Sequence, residues 1–418
     1  MVRVSGVAVP EVFGALCRKV PQPRVATLMA IRDSAGALVD KGICLYLPGP
    51  GSFTGEDVGE FQVHGGRAVV AALLAALGEL PGLRPAEAGE FTRRAFVSGK
   101  LDLVEVEALS DLIDAQTQGQ LRLAQRLAAG DLSARVARWR RELVAAMARL
   151  EALLDFSDEG DVAERAEHGV ADRLAPVLHE IAAVLDDKGR GERLRDGVTI
   201  VIAGPPNAGK STLLNLLARR DAAIVSAIAG TTRDPIEVHL ELGGVPVTIV
   251  DTAGLRDGGD VVEAMGVARA RDRLARADLV LWLEPVGEPV GEAVPAGGRI
   301  LRIGTKADVP NAGGPQDVLR ISAATGAGIA ELLDEVERHV VELAGADESV
   351  LISRARQRIA LADCAGELRR CLEEEDGGEV ELQAERLRLA VRALERLTGR
   401  VDVEEVLGEI FAGFCIGK

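Results

Sequence analysis

Gly204-Pro205-Pro206-Asn207-Ala208-Gly209-Lys210-Ser211 follows the apolar run Val198 to Ala203 and precedes the helical run Thr212 to Ala218. The octet fits G-x-x-x-x-G-K-S/T in the strand, loop, helix setting that the motif needs. Its glycines let consecutive backbone N–H groups turn inward around phosphates, and the helix that follows adds the positive end of its dipole. Lys210 is expected at the β- and γ-phosphates and Ser211 on magnesium, with Asn207, Ala208, Gly209 and Thr212 completing the cradle. The competing reading is a chance glycine-rich turn, which the strand before it and the helix after it both disfavour.

Further apolar runs lie at Val245 to Val250, Asp278 to Leu283, Ile300 to Gly304 and Val318 to Ser322, most of them separated by helical patterns. That alternation predicts a parallel sheet covered on both faces, with Pro285 to Gly298 as a surface loop. Asp251-Thr252-Ala253-Gly254 closes one run, where an aspartate can hold magnesium through water and Gly254 can approach a γ-phosphate. Thr305-Lys306-Ala307-Asp308 closes another and resembles N-K-x-D, whose carboxylate accepts both Watson–Crick N–H groups of guanine, a pair that adenine lacks. Thr305 stands in place of the asparagine and is expected to loosen the tether between this loop and the phosphate loop. Ser322-Ala323 ends the last run, where a backbone N–H can meet the guanine carbonyl. Four motifs in this order point to a GTP-binding α/β unit, against the alternative of solvated loop charges.

Composition limits what surrounds this unit. The chain has 418 residues, 47% of them hydrophobic, enough for about two to four domains with buried cores. A net charge of -16 excludes a protein coated all over by nucleic acid, although a local patch can still meet RNA. Arg135, Arg138, Arg140 and Arg141 around Trp139 are one candidate patch, and a solvated helix face is the competing reading. The cysteines Cys17, Cys44, Cys364, Cys371 and Cys415 form no C-x-x-C pair, which fits a reducing cytoplasm and neither a zinc site nor a disulfide framework. Cys364 and Cys371 lie on one helix face and are expected in the core, and His64 reads as structural. No run reaches the roughly 20 apolar residues of a membrane span.

The predicted fold class is α/β plus α+β and all-α. Residues 1–102 mix short strands, such as Arg24 to Ile31, Gly42 to Leu47 and Glu60 to His64, with a helix from Arg67 to Leu80. Residues 103–190 and 346–418 read as helical, with Leu387, Ala390, Val391, Leu394 and Leu397 on one face. Each helical half would expose an apolar face unless the two pack together, so the G domain, 191–345, is read as inserted into a single helical domain.

The flanks and the loop between the nucleotide motifs carry a resemblance. Ser226-Ala227-Ile228-Ala229-Gly230-Thr231-Thr232-Arg233-Asp234 resembles the G-T-T-R-D switch of the Era/TrmE branch of GTPases. Pro50-Gly51-Ser52-Phe53-Thr54-Gly55-Glu56-Asp57, His64-Gly65-Gly66, Gly89-Glu90-Phe91-Thr92-Arg93-Arg94-Ala95-Phe96 and Gly99-Lys100-Leu101-Asp102-Leu103 resemble the N-terminal domain of the MnmE family, also called TrmE. Cys415-Ile416-Gly417-Lys418 resembles its C-terminal C-I-G-K. The resemblance covers nearly the whole chain.

It implies a potassium-activated GTPase in which Asn207, Ser226, Ile228 and Thr231 coordinate potassium and Thr232 joins Ser211 on magnesium. Leu255 stands where a Ras-like enzyme carries its water-positioning glutamine. The resemblance gives that work to Glu263 in Val262-Glu263-Ala264-Met265-Gly266, a solvated switch charge being the alternative. It further implies a tetrahydrofolate derivative, 5,10-methylene or 5-formyl, held by Arg3, Glu60, Lys100 and Lys418. Paired cations suit the folate carboxylates, and a carboxylate suits the pterin amino edge. Cys415 is left open between a nucleophile and a structural thiol. The family usually begins about twenty residues ahead of Val2-Arg3-Val4-Ser5-Gly6, with a strand whose loss would expose a sheet edge.

The implied assembly is a homodimer that joins the FAD-containing protein MnmG in a heterotetramer and acts on tRNA, adding an aminomethyl-type group to the 5-position of the wobble uridine. Two other classes stay open. One is an Era-like ribosome-assembly switch, and the other a folate-dependent aminomethyltransferase with a regulatory G domain.

Overall fold

The computed structural model describes residues 1–155, 160–219, 237–251, 274–287, 299–309, 318–345, 350–373, 380–401, 407–408 and 410–411, the side chains of 154–155 and 160–169 excepted. The chain falls into two compact units. One comprises Met1–Ser110, Ala128–Ala137 and Arg392–Lys418, and the other Asp111–Leu127 and Arg138–Val391.

In the first unit, strands β1 (Val2–Ser5), β2 (Thr27–Arg32), β3 (Leu38–Leu47) and β4 (Val58–Gln62) form an antiparallel sheet in the order β1-β4-β3-β2. Helix α1 (Val9–Cys17) buries Val9, Val12, Phe13 and Leu16, the three- and four-residue spacing of a one-sided helix. The Phe13 ring lies 5.0 Å from Phe61 and 6.2 Å from Tyr46. Gly59 makes room for it, since a Cβ there would stand 3.0 Å from the ring. Helix α2 (Arg67–Gly78) buries Leu73, Ala76 and Leu77 on the same core. Helices α3 (Glu90–Val97) and α4 (Leu103–Asp114) follow, and Phe411 packs on Val106 beside Phe96 and Leu109.

The second unit holds α5 (Gln118–Ala128), most of α6 (Asp131–Asp155), α7 (Gly160–Leu185) and α8 (Arg190–Asp196) before the chain enters a six-stranded sheet. Its strands are β5 (Val198–Ala203), β6 (Glu237–Leu242), β7 (Val245–Asp251), β8 (Leu279–Pro285), β9 (Ile300–Thr305) and β10 (Leu319–Arg320), in the order β10-β9-β8-β5-β7-β6. Helix α9 (Lys210–Ala218) follows β5, and α10 (Ile329–Ala344) follows β10. The five apolar runs named above pair in parallel as expected, and β6, which was not among them, adds an antiparallel edge to β7 through the turn at Gly243-Gly244. The reason is local. Strand β6 alternates exposed and buried residues, as an edge strand does, whereas β5 and β8 are buried almost throughout.

After the sheet the chain returns through α11 (Ala355–Glu373) and α12 (Val380–Thr398), with α7 lying along α11. Outgoing and returning segments meet closely. A Cβ at Gly191 would stand 1.9 Å from the Ile352 carbonyl, and Arg126 donates to the Val350 carbonyl at 2.6 Å. Asp111 accepts from both Arg195 and Arg354, at 2.9 and 2.6 Å. These bonds join residues on either side of the sheet domain, the arrangement of an insertion. Among the described residues, no helix is long and apolar enough to cross a membrane.

Candidate nucleotide site

The turn from β5 into α9 is shaped by residues that accept unusual backbone angles. Gly204, Asn207 and Gly209 have φ of 142, 61 and 91°, values that favour glycine and that asparagine tolerates better than most residues. At Gly204 a Cβ would lie 2.3 Å from the Leu283 carbonyl, so a glycine is what lets the loop leave the sheet there. Lys210, buried at the start of α9, points back across the loop and donates to the carbonyls of Gly204 and Pro205 at 2.9 and 2.8 Å. Its ammonium thus sits inside the concavity. Asn207 lies exposed at the loop tip, and Thr212 is exposed one residue beyond Ser211.

Ser211 donates to the buried carboxylate of Asp251 at 2.7 Å, joining the first turn of α9 to the end of β7. A hydroxyl and a carboxylate held side by side next to a phosphate-type loop are hard oxygen donors that suit magnesium. The structure therefore brings Lys210, Ser211 and Asp251 together as the motif spacing predicts.

The two loops expected to read the base, after β9 and β10, converge on the same edge of the sheet. Thr305, at the end of β9, is 5% exposed and donates through its hydroxyl to the Ala208 carbonyl at 2.8 Å. With threonine in this place a tether is still made, since its hydroxyl reaches the phosphate loop. Ala307 donates to the Ile321 carbonyl at 3.1 Å, and Lys306 takes a left-handed φ of 60°. The Ser322 hydroxyl donates to the Asp308 carboxylate and holds it below its ordinary pKa, so the carboxylate is ionised and oriented. Ala323 follows Ser322 at the mouth of this loop.

The folate-type residues are only partly assembled. Arg3 and Glu60 face each other in the β1–β4 register and are bonded at 3.0 and 2.8 Å, with Arg3 5.7 Å from the centre of the Phe91 ring. Lys100 instead donates to the Pro50 carbonyl at 2.7 Å. A cavity of about 820 Å³ in this unit is lined by Glu56, Arg84, Glu90, Arg94 and Phe411 rather than by those three.

Sequence reasoning left that charge network unassigned. Glu90 bonds Arg84 at 2.7 Å and Arg94 at 2.9 Å, and Arg94 bonds Glu56 at 3.0 Å. Burial alone would raise the Glu90 carboxyl. The bonds from Arg84, the Glu87 N–H and Arg94 outweigh it and bring the pKa to about 2. The only signal in the sequence was the Gly89-to-Phe96 motif itself.

Several other candidates are placed. Trp139 is buried and donates to Glu180 at 2.7 Å, so it leaves the arginine patch without a stacking ring. Arg138 pairs with the same Glu180. Cys364 and Cys371 are buried in α11, and burial pushes the Cys364 thiol up to about 12. His64 pairs with Asp40 at the surface, at 2.9 Å. Ser226, Ile228, Gly230, Thr231, Thr232, Thr252, Ala253, Gly254, Glu263, Cys415 and Lys418 lie outside the described residues.

Comparison with known proteins agrees with the resemblance. The family model described as the GTP-binding protein TrmE N-terminus matches residues 1–100, and the MnmE helical domain model matches residues 103–415. A protein named tRNA modification GTPase MnmE from Rhodopseudomonas palustris is 52% identical over 423 residues, which span 100% of this chain and 95% of that protein. Its namesake from Azorhizobium caulinodans is 53% identical over 419 residues, again 100% and 95%. A third, from Beijerinckia indica subsp. indica, is 51% identical over 419 residues, with 100% and 92% covered. Matched along its whole length at half identity, and by models of both flanking domains, the chain belongs to the MnmE family of tRNA modification GTPases.

Proposed function

We propose that this chain hydrolyses GTP as its part in modifying the wobble uridine of tRNA. The observation that carries the nucleotide half is the joining of two loops. The Thr305 hydroxyl bonds the phosphate loop at Ala208, while Asp308 beside it is held ready by Ser322. One rigid edge therefore presents a cation for phosphates and a carboxylate for guanine. The tRNA half rests on family membership and on the names that the relatives carry.

In this reading Lys210 binds the terminal phosphates, with Ala208, Gly209 and Thr212 around it. Ser211 and Thr232 would hold magnesium directly and Asp251 through water, with Thr252, Ala253, Gly254 and Gly230 on the γ-phosphate side. Magnesium, when bound, neutralises phosphate charge. Asn207, Ser226, Ile228 and Thr231 would hold potassium. Glu263 would orient the attacking water. Arg3, Glu60, Lys100 and Lys418 would hold a tetrahydrofolate derivative, a role that the adjacent cation and carboxylate of Arg3 and Glu60 fit in kind. Cys415 takes either the nucleophilic or the structural role. Residues 1–102 would dimerise, 191–345 would act as the G domain, and 103–190 with 346–418 as the helical domain. The partners would be a second copy, the FAD protein MnmG and tRNA, in the cytoplasm.

Nucleoside mass spectrometry of tRNA from a strain lacking this chain tests the proposal. Loss of the modified wobble uridine, restored by the intact chain but not by Asp308→Ala, is the expected result. Unchanged wobble uridines would remove the modification role.

A further inference from the structure

We infer that Thr305 confines base recognition to the Watson–Crick side of guanine and leaves the five-membered ring unread; the inference rests on the GTP site proposed above. A threonine hydroxyl carries one proton. Here that proton goes to the Ala208 carbonyl at 2.8 Å, in a bond buried at both ends. It is therefore not available to N7 of guanine, an acceptor with no proton of its own. The asparagine of N-K-x-D carries two amide protons, enough to serve a loop carbonyl and a ring nitrogen together. Turning the Thr305 hydroxyl toward a base would strand a buried carbonyl, which is the costly outcome for such a group.

The neighbouring donors are committed as well. The Ala307 N–H goes to Ile321 and the Ser322 N–H to Ala327, at 3.1 and 2.9 Å, and the Ser322 hydroxyl goes to Asp308. None of the described residues accepts from the Ala323 N–H, which suits the guanine carbonyl. The readers that remain, the Asp308 carboxylate and this amide, both serve the six-membered ring. Thr305 is then a positioning residue for the two loops, and the specificity it withholds is as characteristic as the tether it makes.

Calorimetry on the full chain with magnesium tests this, using GDP, 7-deaza-GDP, IDP and ADP. For the wild type, 7-deaza-GDP should bind less than about threefold more weakly than GDP, whereas IDP, which lacks the amino group facing Asp308, should lose about tenfold or more. Thr305→Asn should create a preference for GDP over 7-deaza-GDP of about 3- to 10-fold, the usual worth of one hydrogen bond. A wild-type loss of threefold or more on 7-deaza-GDP overturns the inference while leaving the GTP site intact. A folded Thr305→Asn protein without the new preference does the same. Should that variant not fold, the wild-type comparison decides by itself. Failure to bind GDP, or a preference for ADP, overturns the nucleotide site and this inference with it.

Discussion

Ser211 and Asp251 are 40 positions apart, yet the serine hydroxyl lies 2.7 Å from the aspartate carboxylate, which is 3% exposed. A buried carboxylate bonded to a hydroxyl beside a lysine-filled loop offers hard oxygen donors of the kind a divalent cation takes. Replacing Ser211 with alanine should leave the fold intact and cut magnesium-dependent GTP hydrolysis by about 100-fold or more, the scale of losing one metal contact made in the transition state. The companion measurement is nucleotide release with and without EDTA: the wild type should release GDP faster in EDTA, and Ser211→Ala should respond little. An unaltered EDTA response in the variant would remove Ser211 from the metal site.

Asp308 offers a change of specificity rather than a loss of function. Its carboxylate, ionised under the Ser322 hydroxyl, would accept two N–H groups from guanine in the proposed site. An asparagine there would present one acceptor and one donor, the complement of xanthine, which has a carbonyl where guanine has its amino group. Asp308→Asn should weaken GDP by about 100-fold or more and favour XDP over GDP, because against guanine it sets donor against donor and leaves both unpaired. Competition binding with the two nucleotides measures it, and equal weakening of both would count against direct contact with the base.

These two sites were legible because their chemistry is local: a lysine, a serine and an aspartate at the ends of apolar runs announce themselves by spacing. What was not legible is what the fold brings together across distance. The Thr305 hydroxyl meets a carbonyl 97 positions away, and Asp111 meets Arg354 across 243. The motif marked where the first tether belongs but not that a threonine hydroxyl would make it, and the second has no sequence signature, since any aspartate would read the same. Helix α1 escaped notice because Pro10 stands near its start and only nine residues follow the pattern, and β6 because its polar alternation lacks the continuous apolar character of the other strands. The strand is an edge feature, where burial imposes less on the sequence, whereas the helix is well buried but short.

The charge network at α3 should appear as a pH-dependent stability. The Glu90 carboxyl, 12% exposed and gripped by Arg84 and Arg94, has a folded pKa of about 2 against an ordinary 4.5. Because the folded value is the lower one, its stabilisation is complete above the ordinary value. It is lost as the pH falls from there through about 2. Allowing for the exposure of Arg84, about 1–2 kcal/mol is at stake. Hydrogen exchange in peptides covering α3 should therefore quicken between pH 5 and pH 3 in the wild type, once corrected for intrinsic rates. Glu90→Gln should already be fast at pH 7 and should flatten that dependence. An equally pH-dependent variant would assign the effect to other carboxylates.

In the proposed function, potassium dependence would turn on Asn207. It sits exposed at the tip of the phosphate loop with φ of 61°, so its side chain is not committed to the core. An amide oxygen is a neutral donor, suited to a large monovalent ion that needs several weak ligands and little dehydration. Turnover of GTP should therefore be higher in potassium than in sodium at equal ionic strength, by about tenfold or more if the ion takes over charge stabilisation that an arginine supplies in other GTPases. Asn207→Ala should abolish the difference while GDP affinity stays within about threefold, since the backbone N–H groups that cradle the phosphates remain. Equal rates in the two salts for the wild type would rule out the ion, and a potassium response that survives in Asn207→Ala would move its ligands elsewhere in the loop.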